Sequence, residues 1–172
     1  MAMLKSFWAN PFKKEKSDIA RDIDLLTRIP IFKNLSFSQK RNIFEYLHLR
    51  SYVENELVFR QGDPGAGLYI IREGHVDVYN EYDDMTKKKI TSFSVGDFFG
   101  EIALLNDNFR SATIISMTKT VLYGLFKPDL HTLMDSNPKL GQKFLYGLAQ
   151  TVAERLVRNN EEPLKTIAND EI

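Results

Sequence analysis

Apolar and polar positions alternate through the middle of the chain and recur at three- and four-residue offsets on either side of it. In the middle, short runs rich in branched and aromatic residues stand between turn formers. They read LVFR at residues 57–60, LYIIR at 68–72, HVDVY at 75–79, ITSF at 90–93, TIISM at 113–117 and VLYGLF at 121–126. HVDVY has the period of two that turns one face of a strand inward and the other outward. Seven of the nine glycines punctuate this block: Gly62, Gly65, Gly67, Gly74, Gly96, Gly100 and Gly124. Short strands at this spacing predict a sandwich or barrel of the jelly-roll kind. Lys87-Lys88-Lys89, following Asp83-Asp84, reads as a solvated hairpin tip.

Helical periodicity flanks the block. Ile19, Ile23 and Leu26 share a face within residues 17–29, and Pro30 ends that segment because the residue before proline avoids the α region. Ser36-Phe37-Ser38-Gln39 has the form of a capping box and opens a helix with Ile43, Phe44 and Leu47 on one face. After the block, Pro128 and Pro138 suit first helical turns, and Asn137 is the expected N-cap of the second helix. That helix is expected to run to about Asn160, with Leu145, Leu148, Val152 and Leu156 on one stripe. Such a seam lies on the barrel or pairs with a second copy as a homodimer. The expected fold is mainly β with flanking helices. Its parts are an N-terminal arm over residues 1–16, N-terminal helices over 17–50, the β jelly roll over 51–127, hinge and lid or dimer helices over 128–160, and a flexible tail over 161–172 that Pro163 interrupts.

Composition narrows the chemistry. The 172 residues are 43% apolar and 27% charged, ordinary for a folded chain. The absence of cysteine excludes a disulfide framework, a Cys-ligated metal site and a thiol nucleophile, and it fits a cytoplasmic protein. No apolar run is long enough to span a membrane or to act as a secretory signal. The 23 basic and 23 acidic residues balance, but residues 1–50 hold ten Lys/Arg against five Asp/Glu, a net of +5. That excess includes Lys5, Lys13, Lys14 and Lys16 beside Phe7, Trp8 and Phe12. The arm could touch an anionic membrane, but a frayed or docked arm is the preferred reading. His48, His75 and His131 fall on different elements, so no metal site is expected. Neither a nucleophile–base set nor a Walker loop is present, so no enzyme is expected.

The most informative stretch is FFGEIALLNDNFRSATI, residues 98–114. Gly100 opens a short apolar helix whose first backbone N–H groups lack internal partners and form an anion site. Without a Cβ, Gly100 lets a ligand approach the backbone. Arg110 follows a loop, and its guanidinium can return to grip a phosphate through parallel hydrogen bonds, with the Ser111 hydroxyl beside it. Glu101 would repel a bare phosphate, so it makes sense where the ligand also offers hydroxyl donors, as a sugar does. Taken alone, Glu101 and Arg110 read equally well as a buried ion pair with each other.

This stretch resembles the phosphate-binding cassette of cyclic-nucleotide-binding domains, found in catabolite activator proteins, kinase regulatory subunits and cyclic-nucleotide-gated channels. The matching residues are Phe99-Gly100-Glu101-Ile102-Ala103-Leu104-Leu105 and Arg110-Ser111-Ala112. A second matching segment is Arg60-Gln61-Gly62-Asp63 with Leu68-Tyr69-Ile70-Ile71 and Gly74-His75-Val76, and a third is Pro30-Ile31-Phe32-Lys33-Asn34-Leu35. The resemblance covers about residues 25–160. It implies that Glu101 takes a ribose hydroxyl and Arg110 the cyclic phosphate of cAMP or cGMP. Phe99, Gly100, Ile102, Ala103, Ser111 and Ala112 complete the contacts, and no further cofactor is implied. It also implies that the helix after the barrel caps the purine and dimerises, with Asn159 and Asn160 as candidate base contacts. Two residues depart from the pattern. Phe109 stands where the family usually has proline or a small β-branched residue, and Gly67 where it often has aspartate.

The implied function is a cyclic-nucleotide-binding regulatory module. It couples ligand binding to movement of the C-terminal helices, through a hinge near residues 127–133, and to an unidentified effector protein. Two other readings remain. One is a ligand-independent dimerisation scaffold of the same fold. The other is a DNA-binding regulator, disfavoured because only about twelve residues follow Asn160, too few for a helix-turn-helix, and because the C-terminal part is net acidic.

Overall fold

Two antiparallel sheets form the body of the protein in its computed structural model. The structure describes residues 16–82, 86–106 and 109–169, and the side chains of 19–158 among them. The basic and aromatic N-terminal arm thus lies outside the described residues, apart from the backbone of Lys16. The strands are β1 (His48–Tyr52), β2 (Leu57–Phe59), β3 (Gly67–Glu73), β4 (Val76–Glu81), β5 (Lys87–Phe93), β6 (Phe98–Phe99), β7 (Thr113–Ser116) and β8 (Thr120–Phe126). One sheet has the order β1-β8-β3-β6 and the other β2-β7-β4-β5, a jelly-roll arrangement. The helices are α1 (Lys16–Arg28), α2 (Phe37–Phe44), α3 (Ile102–Leu105), α4 (Lys127–Ser136) and α5 (Pro138–Asn169).

The central strands β3 and β8 are buried on both faces, which is why LYII and VLYGLF read as unbroken apolar runs. Ile71 and Leu122 point between the sheets, where they meet Val76, Val78, Phe99 and Ile114. Leu68, Ile70, Tyr123 and Leu125 point outward and are covered by residues of the helices and the turns between them, including Leu26, Ile29, Phe32, Ile43, Phe144 and Leu148. Buried polar groups fix α1 to this face. Asp22 is 1% exposed and accepts from Arg72 Nε at 2.7 Å and from the Tyr123 hydroxyl at 2.6 Å. Burial, reinforced by Asp22, pushes the Tyr123 phenol far up, so it stays a donor. The expected capping box is present, with the Ser36 hydroxyl accepting from Gln39 N and the Gln39 side chain from Ser36 N. Asn137 likewise accepts from Leu140 N at 3.2 Å as α5 begins.

Three expectations need correction. The α2 helix stops at Phe44, and β1 begins at His48, so the boundary at residue 50 cuts a strand. Lys87, Lys88 and Lys89 are not a hairpin tip. They belong to β5, opposite Glu81, Asn80 and Tyr79, because cross-strand acids and rings offset their charge. Lys89 lies 2.8 Å from Asp77, which faces away from the inter-sheet core yet is 4% exposed. Burial pushes the Asp77 carboxyl up, but hydrogen bonds from Lys89, Ser92 and Tyr79 outweigh this and hold it below the usual carboxylate range. The α5 backbone stays helical to Asn169, through Pro163 and past the end expected near Asn160. Of the two placements left open for the leucine stripe, the chain's own barrel takes most of it. Leu148 is fully buried, Leu145 and Val152 pack on the same core, and Leu156 is the one of the four left open, at 61% exposure. Any pairing of copies through Leu148 would first have to lift α5 from its own barrel.

Candidate functional site

The cassette starts where β6 pairs with β3. Gly100 follows at φ +77°, a left-handed conformation that side chains rarely adopt. Glu101 then caps α3, the short apolar helix expected at this point. Ala103 and Leu104 are buried beneath it, while Ile102 and Leu105 are each 45% exposed. Phe99, 3% exposed, stacks on Tyr69 and Phe93 at centroid distances of 5.7 and 6.1 Å. It is wall rather than surface.

The second sequence segment explains how Arg110 is held. Arg110 N donates to Asp63 O at 2.8 Å, and Gly62 N donates to Arg110 O at 2.9 Å. The Asp63 carboxylate accepts from Arg60 N at 2.8 Å, and Gly62 turns the chain at φ +86°. A bridge between Pro64 and Phe109 extends this seam. Arg60-Gln61-Gly62-Asp63 is thus a clasp for the backbone of the arginine. Phe109 itself is 68% exposed, so its bulk points away from the clasp.

The Arg110 side chain turns inward and is 6% exposed. Its Nη1 donates to Gly67 O at 2.8 Å and to Gly100 O at 3.3 Å. The guanidinium lies 4.0 Å from the centroid of Phe59 and 5.7 Å from that of Tyr69. Burial pulls its pKa down, opposed by Tyr69, Asp63 and Glu101; an arginine nonetheless keeps its proton. Among the described residues, no carboxylate lies within ion-pair distance of it. The departure at Gly67 now has a physical account. A Cβ there would stand 2.2 Å from Leu125 O, so close β3–β8 contact requires glycine, and its carbonyl holds the guanidinium instead of a side chain.

Glu101 is not paired with Arg110. At 9% exposure it accepts from Arg155 Nη1 at 2.9 Å, while Arg155 Nη2 donates to Phe98 O at 3.0 Å. The Arg155 guanidinium stacks 4.0 Å above the Phe98 ring. The alternative of a Glu101–Arg110 ion pair is therefore set aside. Sequence reasoning missed Arg155. Its signal was a cation four residues after Thr151 and seven after Leu148, on the face of α5 that turns inward. Ser111 is exposed beside Arg110, and Ala112 is half-buried against the inter-sheet core. The side chains of Asn159 and Asn160 lie outside the described residues. Around Arg110, Tyr52, Phe59 and Tyr69 form a half-buried aromatic wall, and Phe93 lies against Phe99 and Arg155. Burial pushes the Tyr52 phenol up to about 12, so it remains neutral. Two open concavities lie elsewhere, one between α1 and β3 and one along Ala153–Arg158. Among the described residues, no three His, Asp or Glu are placed to hold a metal ion, and no helix is long and apolar enough to cross a membrane.

A jelly roll carrying a glycine–glutamate helix start, a buried arginine and a long C-terminal helix packed on its outer face matches the architecture of cyclic-nucleotide-binding domains. The chain belongs to that family: its sequence model, described as cyclic nucleotide-binding domain, matches residues 49–137. A Rhodopseudomonas palustris protein described as a potassium channel protein is 32% identical over 88% of this chain and 36% of its own. A cAMP-dependent protein kinase regulatory subunit of Colletotrichum orbiculare is 29% identical over 77% of this chain and 33% of its own. The chain thus spans about a third of the length of these relatives. Among solved structures, the Thermus thermophilus catabolite activator protein superposes with a TM-score of 0.70 at 27% identity, over 81% of this chain and 63% of its own.

Proposed function

We propose that this chain is a cyclic-nucleotide receptor module whose ligand is cAMP or cGMP. The cyclic phosphate meets Arg110 and Ser111, a sugar hydroxyl meets Glu101, and the backbone of Gly100, Ile102 and Ala103 lies alongside. Phe99 and Ala112 close the wall, and Asn159 and Asn160 are candidates for the base. The observation that carries this reading is the buried Arg110 guanidinium, which has carbonyl partners and, among the described residues, no carboxylate at ion-pair distance. A buried cation with no carboxylate in direct contact pays a desolvation cost of several kcal/mol that Asp63 and Glu101 offset only from a distance, and an anionic ligand would offset more of it.

The coupling follows from Glu101. One carboxylate oxygen already accepts from Arg155 on α5, and the other is free in chemistry to accept a hydroxyl. Ligand and lid helix then share one anchor, so each biases the position of the other. The output is a change in α5 read by an effector protein in the cytoplasm, without catalysis.

A second reading, a scaffold of the same fold that needs no ligand, draws on the two carbonyls that already satisfy Arg110 Nη1. Paired calorimetric titrations with cAMP and cGMP, with thermal unfolding in parallel, separate the two. A receptor at about 100 times the dissociation constant gains roughly 2.7 kcal/mol of stability. A scaffold gives flat titrations and unmoved melting with both nucleotides.

A further inference from the structure

The first residue of α4 touches both sides of the cassette. Lys127 Nζ donates to Asn106 O at 2.5 Å, where α3 ends. Its backbone N–H donates to Ala66 O at 3.0 Å. Ala66 is the neighbour of Gly67, whose carbonyl takes the Arg110 guanidinium. Gly67 in turn pairs with Phe126, the residue just before Lys127. The start of α4 is itself fixed: the Asp129 carboxylate accepts from Phe126 N at 3.3 Å and lies 3.0 Å from His48 Nε2.

Resting on the receptor reading, we propose that Lys127 is a positioning residue that ties the cassette helix to the hinge, so that α4 cannot turn without moving both the end of α3 and the carbonyl that seats Arg110. A lysine suits the task. Its ammonium reaches across on a flexible stem and makes a charge-assisted bond to a main-chain carbonyl at a helix end, where cations are favoured. Its N–H bond to Ala66 needs no particular side chain, so substitutions test the tie without removing the hinge contact. The side-chain and backbone bonds of this one residue make the link mechanical: rotation about the torsions flanking the 126–127 peptide changes the reach of Nζ to Asn106 and the placement of Ala66–Gly67 together. Coupling through such a contact is reciprocal, so a ligand that orders the cassette also orders the start of α4.

The test compares the full chain with Lys127→Met and Lys127→Arg by amide hydrogen exchange, with and without saturating cAMP or cGMP. Without nucleotide, Lys127→Met should exchange about fivefold faster at the α3 amides, consistent with losing the charge-assisted bond to Asn106 O at a partly exposed site. Amides of β3 and β8 should stay at wild-type rates. With nucleotide, the protection that spreads into α4 in the wild type should shrink in Lys127→Met and return in Lys127→Arg. Unchanged α3 exchange together with unchanged spread into α4 would overturn the proposal, and so would faster exchange spread evenly over β3 and β8. Wild-type protein that binds neither nucleotide overturns the receptor reading and the coupling role together, and the nucleotide-free exchange still separates that failure from the absence of the tie.

Discussion

Replacing Arg110 by methionine separates a binding arginine from a structural one. The side chain is 6% exposed and donates to two main-chain carbonyls. Losing charge-assisted bonds of this kind costs about 1.5–3 kcal/mol each. Against that, among the described residues no carboxylate at ion-pair distance is orphaned, and the desolvation cost of the buried cation, several kcal/mol for an ion of this kind, is recovered in part. Methionine keeps a contact with the Phe59 face worth about 0.3–1.5 kcal/mol. The opposing effects leave folding stability within about 2 kcal/mol of wild type. Binding should behave differently, because a phosphate cannot replace the lost bonds. Affinity should fall by at least about 2 kcal/mol, roughly thirtyfold. Urea unfolding and calorimetric titration on the same samples measure both quantities. If Arg110→Met instead unfolds the protein by about 3–5 kcal/mol, the arginine is half of a structural pair. If affinity is unchanged, the ligand does not use it.

Three further outcomes follow from the same geometry. Gly67→Ala puts a Cβ 2.2 Å from Leu125 O, backbone that cannot step aside, and should cost about 2–3 kcal/mol in a thermal or urea melt. Arg155→Met should loosen α5, seen as faster amide exchange, and weaken nucleotide binding by about 1 kcal/mol, or fivefold, by leaving Glu101 less well oriented. Unaltered exchange and affinity would remove Arg155 from the coupling. The Asp77 carboxyl is held below its ordinary value in the folded chain, so it binds its proton more readily when unfolded. Its contribution to stability is fully present above the unfolded value near about 4 and is lost as the pH falls through the lower folded value. Asp77→Asn should therefore destabilise the protein at pH 7 by about 1–3 kcal/mol and by much less at pH 2–3, as urea melts at the two pH values would record.

Sequence alone determined the features that depend on neighbours along the chain. The strands with period two or continuous apolar runs, the Ser36 capping box, the start of α5 at Asn137 and the Gly100–Glu101 turn are all set within a few residues. Their backbone preferences and burial patterns are local properties. The cassette residues were legible for the same reason. Tertiary structure alone decided what depends on distant partners or on very short elements. β6 has two residues and β1 has a weakly patterned face, so neither carries a periodic signal, and each exists because β3 or β8 supplies its hydrogen bonds. Lys87, Lys88 and Lys89 read as a loop until the strand opposite supplied a carboxylate and a ring. The leucine stripe of α5 fits two partners equally well on paper, and only packing turned Leu148 toward its own barrel. Glu101 meets Arg155, 54 positions away, rather than Arg110, because a charge pairs with what the fold brings within hydrogen-bond reach and not with what the chain places nearby.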